Sequence, residues 1–309
     1  MKTLEELKTL YEEKLVPELE ILEKQRKKIC EKLFFYGAVI FAVVLPVTVI
    51  AKHFFPVIIG ILIFAGIAYF STRGYLSKFK TAIIALIIKG IDENLTYTKF
   101  RYIPKSTFSA SKIFLHSIDE YTGDDHVEGK IEKTAIEFSE LHAQYVVHTK
   151  NGRQYHTIFK GLFIAADFNK NFKGTTVILP DLAEKLFGNI GTFMQSMNKT
   201  RGELIKLEDP EFERYFAVYG RDQIQARYLL STSLMKRIVD FKKRSGKSIY
   251  MSFVDSKIFI AIPYSRNLFE PRIFRTLINF QPIKQYYDDL KLATDVVEEL
   301  NLNTRIWGK

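Results

Sequence analysis

Six histidines, one cysteine and a few clusters of carboxylates and cations are the residues from which this chain could build chemistry. Gly246-Lys247-Ser248 has the ending of a phosphate-cradling loop, but that loop needs glycine at position 241, where Phe241 stands. It also needs a strand before and a helix after, and the hydropathy pattern gives the reverse order. Metal ligation requires each histidine ring to come within about 2 Å of one point. With Asn151-Gly152 as the centre of a hairpin, His148 lies opposite Tyr155 and His156 opposite Val147, so these two rings point to opposite sides of the sheet. His142 and His148 share a face but stand roughly 20 Å apart along a strand. Solvated or hydrogen-bonded histidines are the expectation, with no metal and no cofactor.

Asp119-Glu120-Tyr121-Thr122-Gly123-Asp124-Asp125-His126 gathers carboxylates on what reads as a loop, open to a divalent cation or a basic partner. It lacks the alternating ligands and closing glutamate of a calcium loop, so a solvated acidic turn is the simpler reading. Glu208-Asp209-Pro210-Glu211-Phe212-Glu213 reads as a helix start, with Asp209 as cap, Pro210 in the first position and acids at the positive end of the dipole. Lys236, Arg237, Lys242, Lys243, Arg244 and Lys247 make a basic stretch on a helix whose buried side is Leu234, Met235, Ile238 and Phe241. These six are the candidate contacts for anionic lipid headgroups, set against a plain solvated face. Cys30 stands alone, which excludes an intramolecular disulfide. The sequence carries no Gly-x-Ser-x-Gly elbow, zinc-finger spacing or RNP-type aromatic motif, so no catalytic residue is assigned and nucleic acid is not an expected partner.

The elements that hold these residues divide sharply by hydropathy. Leu33–Ile50 has no charged residue across 18 positions and Phe54–Phe70 none across 17. As helices each spans roughly 26–27 Å, close to a hydrocarbon core of about 30 Å, with flanking aromatics and Lys32, Lys52 and Arg73 covering the difference. Pro56 falls in the first turn of the second segment, Pro46 should kink the first, and Ala38 and Ala42 form a small-xxx-small pair for helix packing. Lys24, Arg26, Lys27, Lys28 and Lys32 precede the hairpin and Arg73, Lys78, Lys80 and Lys89 follow it, while the tip holds only Lys52 and His53. Both termini are therefore expected in the cytoplasm. The net charge of +10 fits such flanks, with the bilayer as first partner.

Leu4–Lys32 reads as a charged helix, with apolar Leu4, Leu7, Leu10, Tyr11, Leu15, Leu19 and Leu22 among dense Glu and Lys and a break or restart at Pro17; it packs on the domain, pairs with a second copy in a homo-oligomer, or lies solvated. Ser77–Asn94 reads as a further helix with apolar residues over most of its surface. From about residue 95 strands dominate: Glu137–Thr149, Gln154–Ala166, Thr175–Leu179, Leu204–Leu207, Ala217–Tyr219, Ser248–Asp255 and Lys257–Pro263, with helices at Ser231–Arg244 and Ile283–Leu300. The expected organisation is a charged helix over 1–32, a membrane hairpin over 33–70, a juxtamembrane helix over 71–94 and a cytosolic domain over 95–309. Its class is α+β, a mixed but mainly antiparallel sheet with packed helices, for which a small barrel like that of pleckstrin-homology modules is one arrangement that fits.

Three stretches carry a resemblance. They are Gly161-Leu162-Phe163-Ile164-Ala165-Ala166-Asp167-Phe168-Asn169-Lys170 running on to Leu179-Pro180-Asp181, then Leu207-Glu208-Asp209-Pro210-Glu211-Phe212-Glu213 with Ala226-Arg227-Tyr228, and Leu302-Asn303-Thr304-Arg305-Ile306-Trp307. Behind a charged helix and two apolar segments, they resemble the bacterial membrane family catalogued as domain of unknown function 3137. That resemblance implies a bacterial inner-membrane protein and no particular activity. The functional expectation is a non-enzymatic, membrane-anchored interaction or scaffold protein whose cytosolic domain binds another protein. Headgroup sensing through the basic helix is the alternative, and an unrecognised membrane-associated enzyme is the third.

Overall fold

The computed structural model describes residues 4–150, 152–168, 173–180 and 202–302. It falls into two compact units, one of Met1–Ile91 with Phe269–Tyr287, the other of Asp92–Leu268 with Asp288–Lys309. Phe269–Tyr287 thus belongs to the unit that holds the long helices, and Asp92 opens the unit that holds the sheet.

The helical unit is built on two long rods. α1 (Leu4–Leu10) passes through a π-helical turn at Tyr11–Leu15 into α2 (Val16–Ala51). Pro17 restarts the helix in its first turn, where its missing N–H costs nothing. Lys52, at φ 54°, closes α2 and its amide donates to the Thr48 carbonyl at 3.0 Å. α3 (Phe55–Phe79) then runs back through a second π-helical turn, Lys80–Ile84, into α4 (Ala85–Ile91). Outside the apolar segments the rods share a packed core: Leu7, Leu15, Leu19, Phe79, Ile83, Ile84 and Ile87 are buried, so the charged helix is packed rather than solvated. Within Leu33–Phe70 the situation inverts, with Phe34 71%, Ile50 80%, Leu62 66% and Phe70 77% exposed. A soluble core helix would hide such residues.

Along α2 the half-buried stripe is Gly37, Ile40, Val44 and Thr48, while Ala38 and Ala42 are exposed. A Cβ on Gly60 of α3 would lie 2.8 Å from Val44 Cγ2 and 3.2 Å from Ile40 Cγ2. Close approach of the rods therefore uses Gly60 and Gly37, and the Ala38/Ala42 pair is corrected: it sits on the other side of α2.

Among the described residues the second unit holds a nine-stranded sheet in which every pairing is antiparallel. Its strands are β1 (Leu95–Thr98), β2 (Glu120–Ile131), β3 (Thr134–Thr149), β4 (Gly152–Asp167), β5 (Thr175–Pro180), β6 (Glu203–Ile205), β7 (Phe216–Gly220), β8 (Tyr250–Val254) and β9 (Lys257–Pro263), in the order β1-β2-β3-β4-β9-β8-β5-β7-β6. Among the described residues β1 and β6 end the sheet and do not pair with each other, so an open sheet stands where the pleckstrin-homology-like barrel was one expectation. The helices are α5 (Lys105–Ala110), α6 (Pro210–Tyr215), α7 (Gln223–Leu229), α8 (Thr232–Ser245) and α9 (Phe280–Glu299), whose first residues belong to the helical unit.

Asp209 caps α6 as its sequence requires, accepting from the Glu211 and Phe212 amides at 3.0 Å each. One face of β3, β4 and β9 packs Leu141, Ala143, Phe159, Phe163, Ala165, Phe259 and Ala261 against Ile103, Phe108 and Ile113. Leu162, Ile164 and Ile260, which alternate with them, are buried too, so the centre of the sheet is covered on both faces.

Candidate functional site

The centre of interest is where β4 outgrows its neighbour. β9 pairs with β4 from Gly161 to Asp167, and the last contact is the Tyr264 amide donating to the Lys160 carbonyl at 3.0 Å. Gly161 makes this junction feasible: at φ 149° its backbone comes so near β9 that a Cβ would lie 2.2 Å from the Ile262 carbonyl oxygen. Immediately before it, Ile158 is an extra residue on β4, because Ala143 pairs with Phe159 and Gln144 with Thr157. A bulge of this kind bends the strand and re-aims its side chains. Over Gly152–Phe159, among the described residues, no strand pairs with β4 on the side away from β3. β2 likewise stops at Gln144, beyond which Asp119 receives the Val146 amide at 2.7 Å. What remains is a two-stranded ribbon, Tyr145–Phe159, with Val147 and Tyr155 exposed at 39% and 52%.

The ribbon's turn differs from the one expected. Thr149 pairs with Gly152, so the two connecting residues are Lys150 and Asn151, the latter outside the described residues. Gly152, at φ 120°, opens the strand, and the Thr149 hydroxyl closes the base on the Gly152 carbonyl at 2.9 Å. His148 therefore faces Arg153 and His156 faces Tyr145. The two rings still fall on opposite sides. His156 instead stacks on Tyr145, which stacks on His116, with centroids 5.0 and 5.1 Å apart. His142 lies 3.2 Å from the Thr157 hydroxyl, and burial followed by Lys160 depresses its pKa.

At the base of the free edge lies an open cleft of about 370 Å³ between β4, Tyr250 and Pro263–Ser265. Its walls are Phe114, Phe159, Tyr250 and Tyr264, with Phe114 5.2 Å from Phe159 and 5.7 Å from Tyr250 between ring centroids. Cations rim it. Lys160 lines the cleft, Lys247 Nζ stands 4.4 Å above the Tyr264 ring, and the Arg266 guanidinium lies 5.6 Å from the same ring. The Tyr264 hydroxyl donates to Asp289 Oδ1 at 2.9 Å, and Arg266 pairs with the other Asp289 oxygen. Burial, then Asp289, pushes the Tyr264 phenol well up, and burial does the same to Tyr250, so both stay neutral donors at ordinary pH. Such a surface suits an apolar side chain with a carboxylate close by.

The acidic run is corrected from loop to strand: it forms the first half of β2, with a register shift between Asp124 and Val127. Asp125 and His126 are each only 1% exposed. The carboxylates of Asp124, Asp125 and Glu140 lie within 4.8 Å of one another, close enough to offer oxygens to one ion. Tyr97 already donates to Asp125, and the Leu268 amide donates to Glu140 at 2.8 Å. His126 Nε2 is 3.2 Å from Glu137.

Of the six cations proposed for lipid, five have intramolecular partners. Lys243 pairs with Glu211 at 2.5 Å and Arg244 with Glu299, while Arg237 and Lys242 donate to the carbonyls of Glu299 and Lys247. Lys247 caps Tyr264, and Lys236 is exposed on α8. Gly246, at φ 61°, ends α8 in a left-handed cap, which is the structural use of the Gly246-Lys247-Ser248 triplet.

Fold and site together define a class: an apolar helical hairpin joined to an open antiparallel α+β domain with a free strand edge. Among the described residues two helices are long and apolar enough to cross a membrane. Residues 157–302 match the model of the family described as protein of unknown function (DUF3137), and that match supports membership of the family. The match runs from Thr157, within β4, to just past the end of α9 and includes every cleft residue but Phe114. No curated protein matches the chain. Among solved structures, the crystal structure of the mycobacterial trehalose monomycolate transport factor A, TtfA, aligns at 13% identity and a TM-score of 0.31, covering 71% of this chain and 96% of that one. A likeness that remote transfers neither residues nor role.

Proposed function

We propose that this is a two-span protein of the bacterial inner membrane with both termini in the cytoplasm. Its sheet domain serves as a docking module for another protein rather than as an enzyme. The observation that carries the docking role is the unpaired edge of β4 running into the aromatic cleft. An exposed edge is a template for an extended segment, whose backbone bonds give affinity and whose alternate side chains find pockets. An apolar residue of the incoming strand fills the space between Phe114, Phe159, Tyr250 and Tyr264, and neighbouring acids meet Lys160, Lys247 and Arg266. Headgroup sensing through α8 draws less support, since most of its cations already hold carboxylates or carbonyls.

A photo-crosslinking amino acid placed at Tyr155 in the full-length protein, in living cells, should yield one discrete adduct. The same probe at Phe100, exposed on the same unit but off this edge, should not. Equal adducts at both positions, or none at either, would sink the docking assignment.

A further inference from the structure

The segment between Leu268 and the start of α9 holds no feature that hydropathy reads as membrane-active, yet the helical unit pins it beside the apolar rods. The Ile273 carbonyl accepts from Arg26 Nη1 at 2.8 Å and from Cys30 Sγ at 3.2 Å. Arg26 is itself gripped by Glu23, through Nε at 2.8 Å and Nη2 at 2.7 Å, and Glu23 also accepts the Leu277 amide at 3.0 Å. Cys30 lies three residues before Leu33, where the uncharged run begins, whereas Glu23 lies ten before it. At about 1.5 Å per residue, the chain from Ile273 to Leu277 thus runs down α2 away from the apolar segment, with Ile273 at its upper end.

Phe274 is the side chain that results from this placement. Its ring meets the Phe34 ring edge-on, 6.4 Å between centroids, yet Phe274 remains 69% exposed and Phe34 71%. Arg272 and Arg275 on either side are exposed, as are Lys27, Lys28 and Lys32 on α2 and Arg73 on α3. An exposed aromatic continuous with the first turn of a membrane segment, within a belt of cations, is the composition found at a bilayer's polar boundary.

We infer that Pro271–Ile278 is a third membrane contact: Phe274 enters the interfacial layer beside Phe34, and Arg272 and Arg275 meet anionic headgroups. This rests on the membrane reading of the hairpin, and the test separates the two. In full-length protein in nanodiscs containing anionic lipid, Cys30→Ser keeps a donor toward Ile273 while clearing the background. Single cysteines at Leu62, Phe274 and Ile224 then carry an environment-sensitive fluorophore. Lipids spin-labelled near the headgroup should quench position 274 at least twofold more than position 224, and Arg272→Gln with Arg275→Gln should bring 274 toward the 224 value. Lipids labelled deeper in the chain should quench position 62. If 62 is quenched and 274 is not, the interfacial contact fails and the hairpin stands; if 62 is not quenched, the membrane reading itself fails. Shielding of 274 from an aqueous quencher without lipid quenching would assign this face to a second copy of the chain and overturn the inference, as would full quenching in the arginine double variant.

Discussion

Glu299 shows how burial and charge compete at a single carboxyl. It closes α9 with its side chain only 10% exposed, and burial pushes its pKa up to about 6 although Arg244 opposes the shift. Asp295 and Glu298 add to the rise, and Lys291 offsets part of it while being held by Asp295 at 2.7 Å. The folded pKa exceeds the unfolded one, so the folded state binds the extra proton and stability falls as pH climbs from about 4.5 to 6. Glu299→Gln removes that loss. Thermal unfolding of the full chain should show wild type and variant alike near pH 4, with the variant more stable at pH 7 by on the order of 1 kcal/mol after allowance for residual solvent contact. A variant less stable at pH 7 would mean that the Arg244 pair outweighs burial. Residues whose role is local were legible in the sequence, as Asp209 shows, because its cap is written in the next three positions. Asp125 and His126 were not. Charged residues rarely lie buried without partners, and the hydroxyl that serves Asp125 comes from Tyr97 on another strand, 28 residues away.

At the level of elements, alternation made β3, β4, β8 and β9 readable, while β2 was hidden by its glycines, its acids and its register shift. The hairpin was equally plain as two apolar runs, but hydropathy gives no rotation about a helix axis. Ala38 and Ala42 carry the right spacing and the wrong face; Gly37 and Gly60 make the contact. Gly60→Leu should therefore disrupt the α2–α3 pairing, since its Cβ already starts 2.8 Å from Val44 and overpacking of this kind costs about 1–3 kcal/mol. Ala38→Leu and Ala42→Leu should leave the pairing intact. Spin labels at Val47 and Val57 would report this as a broadened distance distribution in the Gly60 variant alone. Equal broadening in an alanine variant would contradict the rotation of α2 described here.

For the whole molecule, the features that matter for function join distant parts of the chain. The return of Phe269–Tyr287 to the helical unit rests on hydrogen bonds spanning more than 240 residues, such as Arg26 to Ile273, and no window of sequence contains both partners. The proposed orientation, by contrast, rests on counting cations in the flanks: five Lys or Arg over residues 24–32 and four over residues 71–89, against Lys52 alone at the tip. Carrying either basic flank across the membrane is opposed by the bias that retains Lys and Arg on the cytoplasmic side, whereas a tip of one lysine and one histidine crosses with little resistance. In a Cys30→Ser background, a single cysteine at His53 should then react with a membrane-impermeant maleimide in intact cells once the outer layers admit the reagent. Cysteines at Lys257 on the sheet and Arg272 beside the hairpin should react only after the inner membrane is opened. The opposite pattern would place the proposed docking edge of β4 outside the cell. Reaction of all three in intact cells would mean that the apolar rods do not cross the bilayer, and their exposed faces would then need another partner to cover them.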